Sequence, residues 1–124
     1  MKLLGNIVWW IFGGLLTAVE YFVASAILML TIVGIPFGIQ TFKIGMMTLI
    51  PFNLTIKENK QSNNFVSLIM NILWFLVGGI WITLTHLLFG VLLAITIIGL
   101  PFAKQHFKLA SISLTPFGKE LVQK

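Results

Sequence analysis

Two long apolar runs dominate the pattern of hydrophobic and polar positions along the chain. The first extends from Leu3 to Ile35, and its only strongly polar residues are Asn6 and Glu20. A helix that crosses a bilayer needs about 20 apolar residues, with a lower bound near 17. The run is therefore too long for one upright helix and just long enough for two short ones.

The second run is a copy of the first, because an ungapped offset of 65 positions (71 minus 6) aligns Asn6 with Asn71. Agreement at Gly, Pro, Trp, Asn and Lys is more telling than agreement at Leu or Ile, and a fixed period indicates a repeat architecture. The pairs are Asn6/Asn71, Ile7/Ile72, Trp9/Trp74, Gly13/Gly78, Gly14/Gly79, Thr31/Thr96, Ile32/Ile97, Gly34/Gly99, Pro36/Pro101, Phe37/Phe102, Gln40/Gln105, Phe42/Phe107, Lys43/Lys108, Pro51/Pro116 and Phe52/Phe117.

This periodicity divides the chain into a first membrane repeat over residues 1–54 and a second over 71–119. Residues 55–70 form a polar linker with a short lead-in, because they hold the only sustained polar stretch. Residues 120–124 form a short basic tail. We interpret each copy of the motif that begins at Thr31 and Thr96 as the exit of the chain from a bilayer.

Composition agrees with a membrane location. Hydrophobic residues make up 58% of the chain and charged residues 9%, and a small soluble domain could not bury that much apolar surface. The net charge of +5 comes from lysines beside the apolar runs. The expected partners are therefore the lipid bilayer and its anionic phospholipid headgroups, and no nucleic acid.

Lysines near short loops mark the cytoplasmic side of a bacterial inner membrane. Positive charge lies at the N-terminus, in the central segment and near the C-terminus, so all three are predicted to be cytoplasmic and each repeat to cross twice. The turns of these hairpins are predicted at Glu20-Tyr21 and Thr85-His86. The alternative is one long tilted helix per repeat, which would invert the second repeat and place Glu20 and His86 inside the membrane.

After each apolar run, Gly34 and Pro36 are expected to end or kink the helix, because proline lacks an amide donor. The segments that follow mix apolar residues with Gln and Lys, and we predict an amphipathic helix at the membrane interface. The predicted fold is an all-α integral membrane protein with two tandem homologous repeats, each a short transmembrane helical hairpin plus an amphipathic interfacial helix.

No enzyme signature is found. The three acidic residues are distant from one another in sequence, and cysteine is absent. His86 and His106 have no accompanying ligands for a metal. We therefore expect no catalytic residue, no cofactor and no metal.

Eight residues are candidates for a functional role. Lys43 and Lys108, with Gln40 and Gln105, are candidates for lipid-headgroup binding or for lining a vestibule, and the simpler explanation is anchoring by snorkelling lysines. The other four, Asn6, Asn71, Glu20 and His86, are candidate intramembrane or turn residues. Asparagines in lipid can bond across helices, and ionisable groups inside a bilayer indicate function.

The shared residues resemble the YccF-type inner-membrane component family, whose domain contains Asn-Ile-x-Trp, Phe-Gly-Gly, Gly-Ile-Pro-Phe-Gly-x-Gln-x-Phe-Lys and Pro-Phe-Gly. The chain departs from this pattern at Asn53, and at Ala103 and Lys104. The resemblance covers nearly the whole chain and implies a bacterial cytoplasmic-membrane location without an established activity.

The expected function is that of a non-enzymatic membrane component in a homo-oligomer or a larger complex, as an oligomeric channel or pore. The alternative is a structural or accessory protein that binds anionic lipid or scaffolds a partner.

Overall fold

The computed structural model describes residues 2–52, 54–58 and 65–123. The first repeat contains α1 (Lys2–Trp9), a π-helical segment (Trp10–Gly14), α2 (Leu15–Leu28) and α3 (Gly34–Thr48), followed by strand β1 (Leu54–Glu58). The second contains α4 (Phe65–Trp74), a π-helical segment (Phe75–Gly79), α5 (Ile80–Ile95) and α6 (Leu100–Leu114), followed by strand β2 (Lys119–Gln123).

Two helices are long and apolar enough to cross a membrane, judged by length and composition. They extend over Leu3–Leu28 and Phe65–Ile95. The chain continues as helix through Glu20 in α2 and through His86 in α5. The predicted hairpin turns at Glu20-Tyr21 and Thr85-His86 are therefore wrong, and the architecture is closer to the alternative of one long helix per repeat.

Each long helix reverses at the repeated Thr motif. The Thr31 hydroxyl donates to the Leu28 carbonyl at 3.0 Å and accepts from the Gly34 amide at 3.0 Å, and Thr96 makes the same pair of bonds at 2.8 and 3.1 Å. A Cβ on Gly34 would lie 2.0 Å from the Leu28 oxygen, so only glycine permits this close approach.

Pro36 and Pro101 lie in the first turns of α3 and α6, where a missing amide donor costs nothing. The expectation that Gly34 and Pro36 end a helix is therefore wrong, since they begin one. α3 returns along α2 and α6 returns along α5. Buried indole groups tie the ends of α3 and α6 to α1 and α4, because Trp9 Nε1 donates to the Thr48 carbonyl at 2.7 Å and Trp74 Nε1 to the Ser113 carbonyl at 2.8 Å.

The fold is mostly helical, as predicted, but it also contains an antiparallel ribbon of β1 and β2 that the prediction of an all-α fold omitted. Its central pair is Ile56 opposite Leu121, which are equivalent positions in the two repeats. Both Leu54 and Leu121 are buried in the core. The segment predicted to be a polar linker thus contributes β1 and the start of α4, and the predicted basic tail lies largely in β2.

The long helices pack antiparallel. Gly13 lies close to Phe89, Glu20 bonds Thr85, and Ala24 lies close to Gly78. Residue numbers therefore rise along the first helix as those of their partners fall along the second. Glu20 and Thr85 are again equivalent positions. A pseudo-two-fold axis therefore passes through two places, the Glu20–Thr85 contact and the centre of the ribbon, and relates one repeat to the other.

Candidate functional site

The centre of the molecule is polar where the two long helices meet. The Thr85 hydroxyl lies 3.1 Å from Glu20 Oε2 and 2.9 Å from the Trp81 carbonyl, and its single proton can serve only one of them. The other carboxylate oxygen, Oε1, is buried and has no partner among the described residues. Glu20 therefore receives at most one hydrogen bond from these groups.

A pair of histidines lies nearby in the second repeat. His86 Nδ1 and His106 Nδ1 are 2.9 Å apart, and His106 Nε2 is 2.8 Å from the carbonyl of Phe12 in the first repeat. A carbonyl only accepts, so His106 Nε2 carries a proton. A neutral His106 then accepts from His86 Nδ1–H, which leaves the buried His86 Nε2 without a proton or a partner among the described residues.

The Phe12 carbonyl is free to accept this bond because the first long helix is kinked. Phe12 has φ −100° and ψ 42°, and Gly13 has φ 113°. The equivalent segment Phe75–Gly79 keeps regular geometry, so the kink belongs to the first repeat only. His106 belongs to α6, so its bond to the Phe12 carbonyl connects the second repeat to the kink in the first.

The candidate lysines differ in their surroundings. Lys108 is half-buried and donates to the carbonyls of Pro51 and Leu54, at 3.2 and 2.8 Å, and to Gln105 Oε1. Lys43, its equivalent, is exposed. In the first repeat Gln40 bonds the equivalent carbonyls, because its Nε2 donates to those of Pro116 and Lys119 at 3.1 and 3.0 Å.

The asparagines mark the start of each long helix. Asn71 pairs with Phe117 through both ends of its amide, at 3.0 Å from Nδ2 to the carbonyl and 2.9 Å from the Phe117 amide to Oδ1. This contact ties α4 to the segment before β2. Asn6, at the equivalent position in α1, is half-buried. Headgroup or pore-lining roles for these eight residues stay predictions.

The structure therefore brings Glu20 into contact with Thr85 and His86 into contact with His106. Lys108 bonds backbone carbonyls, whereas the equivalent Lys43 is exposed. Sequence reasoning did not identify Thr85 and His106 as partners of the candidate residues, and it did not single out Trp81. A comparison of the two copies could have indicated these residues, because they lie where the copies differ. At the 65-residue offset, Thr85, His86 and His106 replace Glu20, Tyr21 and Thr41. No group of three or more potential metal ligands occurs within residues 2–52, 54–58 and 65–123.

A pseudo-symmetric pair of apolar helical repeats defines a membrane protein with an internal duplication. The YccF family domain, described as "Inner membrane component domain", matches residues 4–53 and 69–119. The chain therefore belongs to this family. This confirms the resemblance noted from the sequence. The family description names no reaction.

Two relatives carry the name "Inner membrane protein YccF", one from Escherichia coli (strain K12) and one from Shigella flexneri. Each is 28% identical over 130 residues, which cover 98% of this chain and 88% of the relative. No solved structure matches the chain.

Proposed function

We propose that the protein is a non-enzymatic component of the cytoplasmic membrane that binds anionic headgroups through the face around its ribbon. The observation that carries this proposal is the position of the lysines. Five lysine side chains are described, and all of them lie in the ribbon or close to it: Lys43, Lys57, Lys104, Lys108 and Lys119.

The contacts of these five lysines, or of their neighbours, put them at the ribbon. Lys57 and Lys119 belong to the paired strands. Lys108 bonds the Leu54 carbonyl, and Lys104 precedes it by about one helical turn. Lys43 follows Gln40, which bonds the Lys119 carbonyl, by three residues. We call this the basic face. Lysines beside an anionic membrane surface contribute about 1 kcal/mol each to attraction.

Apolar side chains are exposed elsewhere. At the helix reversals Ile32 is 87% exposed and Ile98 is 89% exposed, and at the helix crossing Val23 and Leu88 are more than half exposed. Such surface is stable in lipid and costly in water. In the proposed arrangement the pseudo-two-fold axis lies along the membrane normal, with the basic face at the cytoplasmic headgroups and the crossing and reversals in the acyl chains.

Replacing Lys43, Lys57 and Lys104 together by Gln should remove the preference of the protein for anionic lipid. Wild-type protein should associate several-fold more strongly with spin-labelled phosphatidylglycerol than with phosphatidylcholine, as measured by electron paramagnetic resonance. The triple Gln variant should show nearly equal association, because the exposed positive charges that attract anionic headgroups are lost. The matched triple Arg variant should keep the preference, and a triple Gln variant that also keeps it would contradict the proposal.

Single-cysteine labelling tests the orientation, since the chain has no cysteine of its own. Lys57→Cys and Lys104→Cys should react with an impermeant maleimide in inside-out vesicles and not in intact cells. Ile32→Cys and Ile97→Cys, at the reversals, should react from neither side because lipid covers them.

A second candidate function is an oligomeric pore, which Glu20 favours because a carboxylate on an exposed apolar helix needs shielding from lipid. If Ile32→Cys and Ile97→Cys react from opposite sides of the membrane, each long helix crosses once and the repeats are inverted. Glu20 would then lie near mid-membrane, and several copies around it would be the better explanation.

A further inference from the structure

A groove of about 230 Å³ opens beside the pseudo-two-fold axis between α2 and the second long helix. Its walls are apolar apart from one carboxylate, and a large aromatic ring stands at its rim. We call it the Glu20 groove, and it is lined by Val19, Glu20, Val23, Ala24, Ile27, Val77, Gly78 and Trp81.

The carboxylate in this groove is poorly satisfied by the protein. Oε2 shares the single proton of Thr85 with the Trp81 carbonyl, and the buried Oε1 has no partner among the described residues. A carboxylate among apolar side chains is costly unless a cation or hydrogen-bond donors complete its surroundings. The groove therefore offers negative charge to an occupant.

We propose that the Glu20 groove binds a small lipophilic organic cation, such as a substituted ammonium. The apolar walls suit hydrocarbon groups on the cation, and Glu20 supplies the opposite charge. Trp81 is 63% exposed, so its ring face can contact a quaternary nitrogen through a cation–π interaction. A metal ion fits poorly, because hard cations need about six oxygen ligands and the lining offers a single carboxylate.

The other repeat shows that this groove is not a general consequence of the fold. At the equivalent positions Thr85 replaces Glu20 and Phe89 replaces Ala24. The Phe89 ring packs on His106 and against Gly13, where it takes up the corresponding space. The duplicated chain thus has the carboxylate and the open volume together in one repeat, which predicts one site per chain.

Benzyltrimethylammonium is a suitable probe, and its uncharged isostere, neopentylbenzene, is the matched control ligand. With the full chain in zwitterionic nanodiscs, equilibrium binding should be saturable with one cation per chain. The isostere should bind at least about tenfold more weakly, because it lacks the attraction to Glu20. Glu20→Gln should remove this discrimination between the two ligands.

Groove-filling variants test the location independently. Val23→Trp places a large ring on a groove wall and should reduce cation binding at least about tenfold. Leu88→Trp, at the equivalent exposed position of the other repeat, should leave binding unchanged. This pair decides the proposal even if Glu20→Gln fails to fold, and thermal unfolding checks that both variants are intact.

Three results would overturn the proposal. Equal binding of cation and isostere would mean that the site is merely apolar or that Glu20 is neutral. Unchanged binding in Val23→Trp would place the cation elsewhere. Absence of binding, together with a change of oligomeric state in Val23→Trp and not in Leu88→Trp, would mean that a second copy of the chain covers the groove.

Discussion

Gly13→Ala should lower the free energy of unfolding by about 2–6 kcal/mol. Gly13 has φ 113°, a conformation that costs other residues roughly 1–3 kcal/mol. An added Cβ would also lie 2.7 Å from Phe89 Cγ and 2.8 Å from His106 Cε1. Overpacking of this kind costs about 1–3 kcal/mol more. Chemical unfolding in micelles, followed by tryptophan fluorescence, measures the change.

Gly5→Ala is the matched control for this prediction. Gly5 lies inside α1, and its added Cβ would meet only Phe52 Cε2, at an ordinary distance of 3.8 Å. Alanine is favoured over glycine inside helices by about 1 kcal/mol, so this variant should be slightly more stable than wild type. If both variants changed stability equally, the kink at Gly13 would carry none of the proposed strain.

The same kink explains why the effect should reach beyond one helix. The displaced carbonyl of Phe12 accepts from His106, and His106 bonds His86, so a distortion at residue 13 disturbs a contact between the two repeats. Regular helix geometry at Phe12 would return its carbonyl to the helix and leave His106 Nε2 without this acceptor. A buried donor without an acceptor costs about 1–3 kcal/mol.

The sequence was sufficient to predict the duplication, since the family domain matches two segments of the chain. Two pairs of identical residues make equivalent contacts, Thr31 and Thr96 at the reversals and Trp9 and Trp74 at the return helices. These contacts lie within one repeat, so the same local pattern produces the same local structure twice. For these two pairs, identity between the copies reflects an equivalent structural contact.

The position of the hairpin turn could not be predicted from the same pattern. The turn prediction at Glu20-Tyr21 and Thr85-His86 rests on polar and amphipathic residues midway along each apolar run, which suit the water–lipid boundary. The partners of Glu20 and His86, which are Thr85 and His106, lie far away in sequence. Hydropathy shows how much apolar length is available, and it does not show which polar side chains will find partners on other helices.

The ribbon was missed for a related reason. β1 and β2 are five residues each and begin 65 positions apart, so no short turn in the sequence indicates that they pair. Their pairing depends on the pseudo-two-fold arrangement, which brings the ends of both repeats together. The role of Lys108 was missed with it, because the carbonyls that it bonds lie just before or at the start of β1.

Lys108→Met should lower the free energy of unfolding by about 3 kcal/mol. Methionine retains much of the apolar stem and removes the ammonium, which donates to the carbonyls of Pro51 and Leu54 and to Gln105. Hydrogen bonds from charged groups contribute about 1.5–3 kcal/mol, and the abandoned acceptors add a further cost. Amide hydrogen exchange in β1 should also accelerate, because this segment loses its tie to α6.

Lys43→Met distinguishes this clamp from a general effect of losing a lysine. Lys43 occupies the equivalent position, is exposed, and lies beside Gln40, which bonds the corresponding carbonyls of Pro116 and Lys119. Its replacement should change stability by no more than about 0.5 kcal/mol. Equal losses in the two variants would mean that Lys108 acts through charge alone. Unequal losses, with faster exchange in β1 only for Lys108→Met, would mean that the two repeats use different side chains to hold one pseudo-symmetric contact.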